Sequence, residues 1–310
     1  MLTRVAVIAL NAYREAVRAR ILHGLFGLAL ATAGYALVVG AYASRSRLRV
    51  VSDLGSASIS VYAIVVAVVL GATSLYRELE LKTIFPILAR PIRRAEYLVG
   101  KLLGTVLTLA VFIATNAGAL LIALGILSGR SVLPVAVAVL SFAVALVGVG
   151  WRLPRWRSYL PMLAGLVVSL LGFWLAGGAP DDRRVVVGSA LLTLCEVLVV
   201  ASLATLFSAF SSPFLTAVFT LSVFVVGRSA DTLAKLPARV FGQAVHDAGA
   251  ALAKVVPNLM WYVPPRTLLT GEAVGDNLTT HLVLAAAYAG AWAVALLTVA
   301  ATVFKRRDFL

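Results

Sequence analysis

The sequence predicts an all-α polytopic transmembrane helix bundle of about eight spans, led by an N-terminal interfacial amphipathic helix, with residues 1–310 forming a single domain. Two observations predict this class. Hydrophobic residues make up 61% of the chain and charged residues only 13%, with a mean hydropathy of +0.99; a soluble domain carries about a quarter charged residues. The apolar residues also gather into runs of roughly 20, long enough to cross a ~30 Å hydrocarbon core at ~1.5 Å per residue.

Residues 1–20 read as the interfacial helix. Arg4, Asn11, Arg14, Glu15 and Arg18 recur at helical spacing, with Val5, Ile8, Ala12 and Ala16 between them. Such a helix lies with its arginines toward anionic lipid; a soluble basic lead-in is the alternative. Its apolar start runs directly into polar residues without a small-residue cleavage site, so it does not read as a cleavable signal. Apolar runs follow at about 21–43, 57–76, 102–128, 131–150, 159–178, 185–209, 213–228 and 281–304. The run from Pro213 to Arg228 is short for a span.

Charge sets the orientation. The formal net charge is +14, yet the basic residues flank apolar spans and no aromatic-basic platform lies between them, which excludes nucleic acid as the partner and favours the lipid bilayer. With the N-terminus inside, sixteen of the 27 Lys and Arg residues fall on the inner side. The short loops thus place both termini in the cytoplasm; Arg45, Arg47 and Arg49 run against this pattern. The sole cysteine, Cys195, sits in an apolar run, and His23, His246 and His281 are isolated, so neither a disulfide nor a metal site is expected.

The outer loop 228–280 carries an amphipathic helical pattern. Arg239, Gln243, His246, Asp247 and Lys254 share one face, and Val240, Val245, Leu252 and Val255 share the other. It reads as a helix on the outer leaflet or one packed against the spans, ended by Pro257-Asn258.

Three places could carry chemistry. The segment 77–101 mixes both charge signs with apolar residues: Glu78, Glu80, Lys82, Thr83, Phe85, Arg90, Pro91, Arg93 and Arg94 lie within it. Glu78–Ile84 suits a short helix and Pro91 the first turn of another. Apolar residues ringed by charge fit a docking surface. Second, Glu196 lies midway along an apolar run, where a carboxylate costs about 2.5–3.5 kcal/mol. Either it serves a substrate or proton path, or it makes a buried hydrogen bond to a neighbouring span, with Asn116 the expected partner. Third, Gly100 and Gly104 form a small-xxx-small pair that allows close helix packing, though chance placement explains it equally well in a glycine-rich chain.

The order of these segments resembles the ABC type-2 transporter permease family. Glu78–Gly104 resembles that family's cytoplasmic loop, and Asn11–Leu30 its interfacial helix and first span. Phe207–Gly227 resembles its second cytoplasmic turn and fifth span, Pro257–Leu259 an outer-loop motif, and Phe304–Phe309 its cytoplasmic tail. The branch it most resembles includes permeases near copper maturation, gliding and multidrug export systems, which fixes no substrate. The family commonly has six spans; residues 131–178 read as an inserted hairpin, with three arginines and two tryptophans at its bend, Trp151–Arg157.

The resemblance implies the membrane subunit of an ATP-driven exporter in a bacterial or archaeal cytoplasmic membrane. It implies two partners: a second permease subunit, identical or related, and a separate ABC ATPase. Residues 77–101 would then couple to the ATPase, with Glu78–Leu88 as the main coupling helix and the turn Ser208, Ser211, Ser212, Pro213 as a second contact. ATP and Mg would be bound by the ATPase, and this chain would bind no cofactor and would not itself be an enzyme. Consistent with that, the Gly100-Lys101 pair lacks the other residues of a phosphate-binding loop, and no nucleophile constellation is present. The rival readings are an ion- or proton-coupled carrier using Glu196, against which no internal repeat is visible, and a membrane-embedded enzyme.

Overall fold

The computed structural model describes residues 2–43, 46–80, 94–272 and 277–306. Among these residues there is helix and no strand. Seven helices are long and apolar enough to cross a membrane. They belong to α2 (Arg20–Tyr42), α3 (Arg47–Glu80), α4 (Arg94–Leu127), α5 (Val132–Arg152), α6 (Leu160–Leu175, extended by a 3-10 turn to Gly178), α7 (Pro180–Ser208) and α13 (Leu278–Arg306). An eighth apolar helix, α8 (Pro213–Arg228), has only 16 residues.

The termini of these helices follow local chemistry. Helix α7 opens on Pro180, with Asp181 and Asp182 in its first turn, where the N–H that proline lacks would have no acceptor and the carboxylates meet the positive end of the helix. Helix α8 opens on Pro213 behind Ser212. Helix α3 has 34 residues, roughly 50 Å of helix, so it overshoots a ~30 Å core at its ends. It starts ten residues before the apolar run and passes through Glu78 to Glu80 without a break. Those two glutamates therefore extend the spanning helix; they do not open a separate one. Polar Ser52 and Asp53 hide the early start in the sequence, because hydropathy sees only the part in lipid.

The core runs between α3, α4, α7 and α13, where Ala63, Leu109, Leu120, Leu192, Val197 and Ala289 are buried. Small residues set the distances. A Cβ on Gly71 of α3 would lie 2.4 Å from the Cβ of Ala204 on α7. Helix α1 (Leu2–Val17) lies across the start of α4, and a Cβ on Gly104 would come within 2.4 Å of the Ala9 carbonyl oxygen. The Gly100 and Gly104 pair is thus the seat of α1, with Val5, Tyr13 and Ala16 buried. The amphipathic pattern buries this face on protein.

The two arms of the hairpin 131–178 differ. Helix α6 packs along α4 through Gly165 and Gly172 on its own side and Gly118 and Gly125 on the other. The Ser169 Oγ donates to the Ala114 carbonyl at 2.8 Å across this contact. Helix α5 leaves Leu133, Leu140, Val144 and Val147 exposed. The bend between the arms is tied to α1, since Arg14 donates to the Tyr159 hydroxyl and its guanidinium lies 5.0 Å from that ring.

The amphipathic pattern at 239–255 forms two helices, α10 (Ala238–Phe241) and α11 (Gln243–Val255), separated by Gly242 at φ 86°. That left-handed value favours glycine and breaks the helix. Val240, Val245, Leu252 and Val255 are exposed. The α11 contact with the preceding α9 (Ala230–Ala234) runs through Gly249, whose Cβ would lie 2.9 Å from the Leu233 carbonyl oxygen.

Candidate functional site

Glu196 lies 16 residues into α7 and 12 before its end, about 24 and 18 Å along the axis. Its side chain is 1% exposed. The partner is Arg228, the last residue of α8. Arg228 Nε donates to Glu196 Oε1 at 2.7 Å and Nη2 to Oε2 at 2.8 Å, while Nη2 also reaches the Ser60 Oγ of α3 at 3.3 Å. This is the bidentate geometry that makes arginine–carboxylate pairs strong. The guanidinium also packs 5.5 Å from the Phe224 ring.

Chain length explains the pairing. Helix α8 rises from the turn at Pro213 for 16 residues, about 24 Å, and stops near the height of Glu196. A charge count places Arg228 in the outer loop; the fold places it beside a carboxylate inside the bundle. The next segment folds over the helix end, since a Cβ on Gly227 would lie 2.6 Å from the Pro257 carbonyl oxygen. Asn258 holds this turn: its side chain accepts from Met260 N at 3.0 Å and donates to Asp231 at 2.7 Å.

Asn116 is not the partner of Glu196. Its Nδ2 donates to the Phe112 carbonyl of its own helix at 2.8 Å, and its Oδ1 is buried without a hydrogen bond. Periodicity alone could not separate an asparagine satisfied by its own helix from one that reaches across.

A second charge network closes one end of the bundle. Arg266 opens helix α12 (Arg266–Thr270) and donates to Asp182 at 2.5 Å, to Ser52 at 3.2 Å and to Asp53. Ser52 also donates to Asp182 at 2.8 Å, and Arg49 lies 3.7 Å from Asp53. The three segments are far apart in sequence, so no motif announces the network. The one hint is Pro264-Pro265-Arg266, a cation fixed just after a chain break. Burial pushes the Tyr262 phenol of this region above its ordinary range.

At the opposite end, three separate segments meet. Tyr97 and Leu98 of α4, Ala209 after α7, and Ala300 and Phe304 of α13 form one buried cluster, with Ile8 of α1 packed on it. The turn beside it is ordered by its own hydroxyls. Buried Ser208 donates to the Thr205 carbonyl at 2.9 Å, and the Ser211 Oγ donates to the Phe207 carbonyl at 2.7 Å and pairs with the Thr216 hydroxyl at 2.7 Å. Ser212 is exposed at the start of α8. Lys82, Thr83, Phe85, Arg90, Pro91 and Arg93 lie outside the described residues, and Arg94 is the first residue of α4.

Among the described residues no three His, Cys, Asp or Glu side chains group as metal ligands would. No protein-family model, no curated protein and no solved structure matches the chain.

Proposed function

We propose that this chain is the membrane-spanning permease subunit of an ATP-driven export complex, with eight spans, both termini in the cytoplasm and a separate ATPase partner. The observation that carries the reading is the meeting of Tyr97–Leu98, Ala209 and Phe304 in one buried cluster. These residues belong to the three segments whose order resembles the cytoplasmic side of ABC type-2 permeases. A push on the loop before α4 would therefore reach the ends of α7 and α13 through direct side-chain contact. Residues 77–101 and the turn Ser208–Pro213 would receive that push, the bundle would provide the translocation path, and a second permease subunit would complete it.

The rival carrier needs Glu196 to load and release an ion. Both carboxylate oxygens are held by Arg228, which favours a fixed pair over a relay. The direct test of the permease reading is copurification. A tagged chain expressed with its neighbouring genes should bring down an ATPase, and substitution of Glu78 and Glu80 by lysine should release it while leaving the chain folded. An ATPase that never copurifies would end the proposal.

A further inference from the structure

Above the Glu196–Arg228 pair lies a cavity of about 340 Å³ between α3, α7, the end of α8 and the segment 262–269. That is near the lower end of the ~300–1,000 Å³ of small-ligand sites. Its polar wall is built from Ser56 and Ser60 on α3 and Ser189 and Thr193 on α7, two pairs at helical i, i+4 spacing that face each other across the space, with Arg228 beside them. Its apolar wall is Val61, Val185, Tyr262, Val263 and Leu269. A row of hydroxyls next to an arginine inside a bundle of lipid-compatible helices is not required by packing.

Two of these groups have unspent hydrogen-bonding capacity. Ser56 is 9% exposed, yet its hydroxyl has no partner among the described residues. A guanidinium carries five N–H donors. Arg228 uses Nε and Nη2 on Glu196 and Ser60, while its Nη1 amino group makes no hydrogen bond among the described residues and its side chain is 26% exposed. Buried polar groups are ordinarily satisfied, so a turn of the Ser56 hydroxyl toward the cavity, together with Nη1, would let this wall bond to something that enters.

Charge decides what enters. The charged residues that line the cavity, Asp53, Arg228 and Arg266, are each paired already: Arg228 with Glu196, Arg266 with Asp53 and Asp182, and Asp53 also with Arg49. An added anion or cation would have to break one of these pairs or stand beside them without a partner of its own. An uncharged group that both donates and accepts meets no such penalty and satisfies the serines, the threonine and Nη1. We infer that the cavity is a binding site for an uncharged amphiphile: a hydroxylated head group sits against Ser56, Thr193 and Arg228, and its apolar part lies on Val61, Val263 and Leu269. The site is formed within one chain, so it does not depend on the export reading or on any ATPase.

Cysteine protection tests this. Cys195 is the chain's sole cysteine, so a Cys195→Ala background with Ser189→Cys places one thiol in the cavity wall. The protein is reconstituted in lipid nanodiscs and alkylated with a water-soluble maleimide in the presence of hexyl glucoside, hexyl phosphate or hexyltrimethylammonium. The glucoside should slow alkylation most. Adding Ser56→Ala with Thr193→Val should weaken its protection by about fivefold or more, the expected loss for a buried hydrogen bond. Thr232→Cys, exposed outside the cavity, should not be protected, and it reports that each variant is folded and reactive. Equal protection by all three probes, stronger protection by a charged one, protection unaffected by the double substitution, or a thiol at 189 that water cannot reach would each overturn the assignment.

Discussion

Arg228 holds both carboxylate oxygens of Glu196, at 2.7 and 2.8 Å, close to halfway along α7. The pair joins the end of a 16-residue apolar helix to the middle of a 29-residue one. Removing one partner strands the other. Glu196→Ala should therefore cost about 3 kcal/mol, the low end of the range for breaking a buried pair, because Arg228 keeps some exposure. Glu196→Leu combined with Arg228→Leu should be less destabilised than either single change. Thermal unfolding of the purified protein in detergent checks both, and single and double variants that lose stability additively would show that the two side chains do not act as a pair.

The seat of α1 on α4 yields a second prediction. A Cβ at Gly104 would meet the Ala9 carbonyl at 2.4 Å and the Ala12 side chain at 2.6 Å, and backbone cannot yield as a flexible side chain can. Gly104→Val should lose about 1–3 kcal/mol through overpacking and lift α1 from the bundle. Limited proteolysis should then cleave near Arg14 and Arg18 faster than in the parent chain. Gly27→Ala serves as the control, since nothing lies within 4 Å of its Cβ position.

Much of this architecture was legible in the sequence, for physical reasons that differ by element. The spans were visible because lipid demands ~20 apolar residues in a row. The turn before α8 was visible because Ser211-Ser212-Pro213 punctuates two apolar runs. What stayed hidden depends on distance in the chain. Arg266, Asp53 and Asp182 converge from three segments and no spacing rule links them. Arg228 reads as a loop residue in the sequence because its height follows from how α8 packs, which composition does not report. The carboxylate within an apolar run is plain in the sequence, but its partner is not, since asparagine inside such a run is conspicuous and an arginine at its edge is ordinary.

The hairpin 131–178 should respond unequally along its two arms. A Cβ on Gly172 would meet the Gly118 carbonyl oxygen at 2.4 Å, so Gly172→Val should destabilise by about 1–3 kcal/mol. Val144→Ala on α5 removes a side chain that is 70% exposed and should change stability by less than about 0.5 kcal/mol. Melting temperatures of the two variants give the comparison directly. A large loss at Val144 would mean that a second subunit covers α5 in the purified protein.

Phe304 is fully buried among Tyr97, Leu98, Ala209 and Ala300. Truncating it to alanine should cost on the order of 3 kcal/mol by opening a cavity. If the proposed coupling runs through this cluster, Phe304→Leu should keep most of the stability while lowering transport in a reconstituted complex more than it lowers ATP hydrolysis. Equal loss of both would assign the cluster to folding alone.

Tyr13 supplies a pH test of the α1 seat. It is buried on α1, outside the spans, and burial raises its phenol from 10.0 to about 12, with the Met162 backbone opposing this only in part. The sign follows from which state loses the proton first. In the unfolded chain the phenol ionises near pH 10, while in the folded chain it stays protonated until about pH 12. The contribution is complete below pH 10 and is lost as the pH rises from there through the folded value. Tyr13→Phe cannot ionise and keeps the buried ring. Its melting temperature should match or exceed that of the parent at neutral pH, and the gap should widen in its favour above pH 10. Parallel curves from pH 8 to pH 12 would mean that Tyr13 is already solvated and that α1 does not hold its seat on α4.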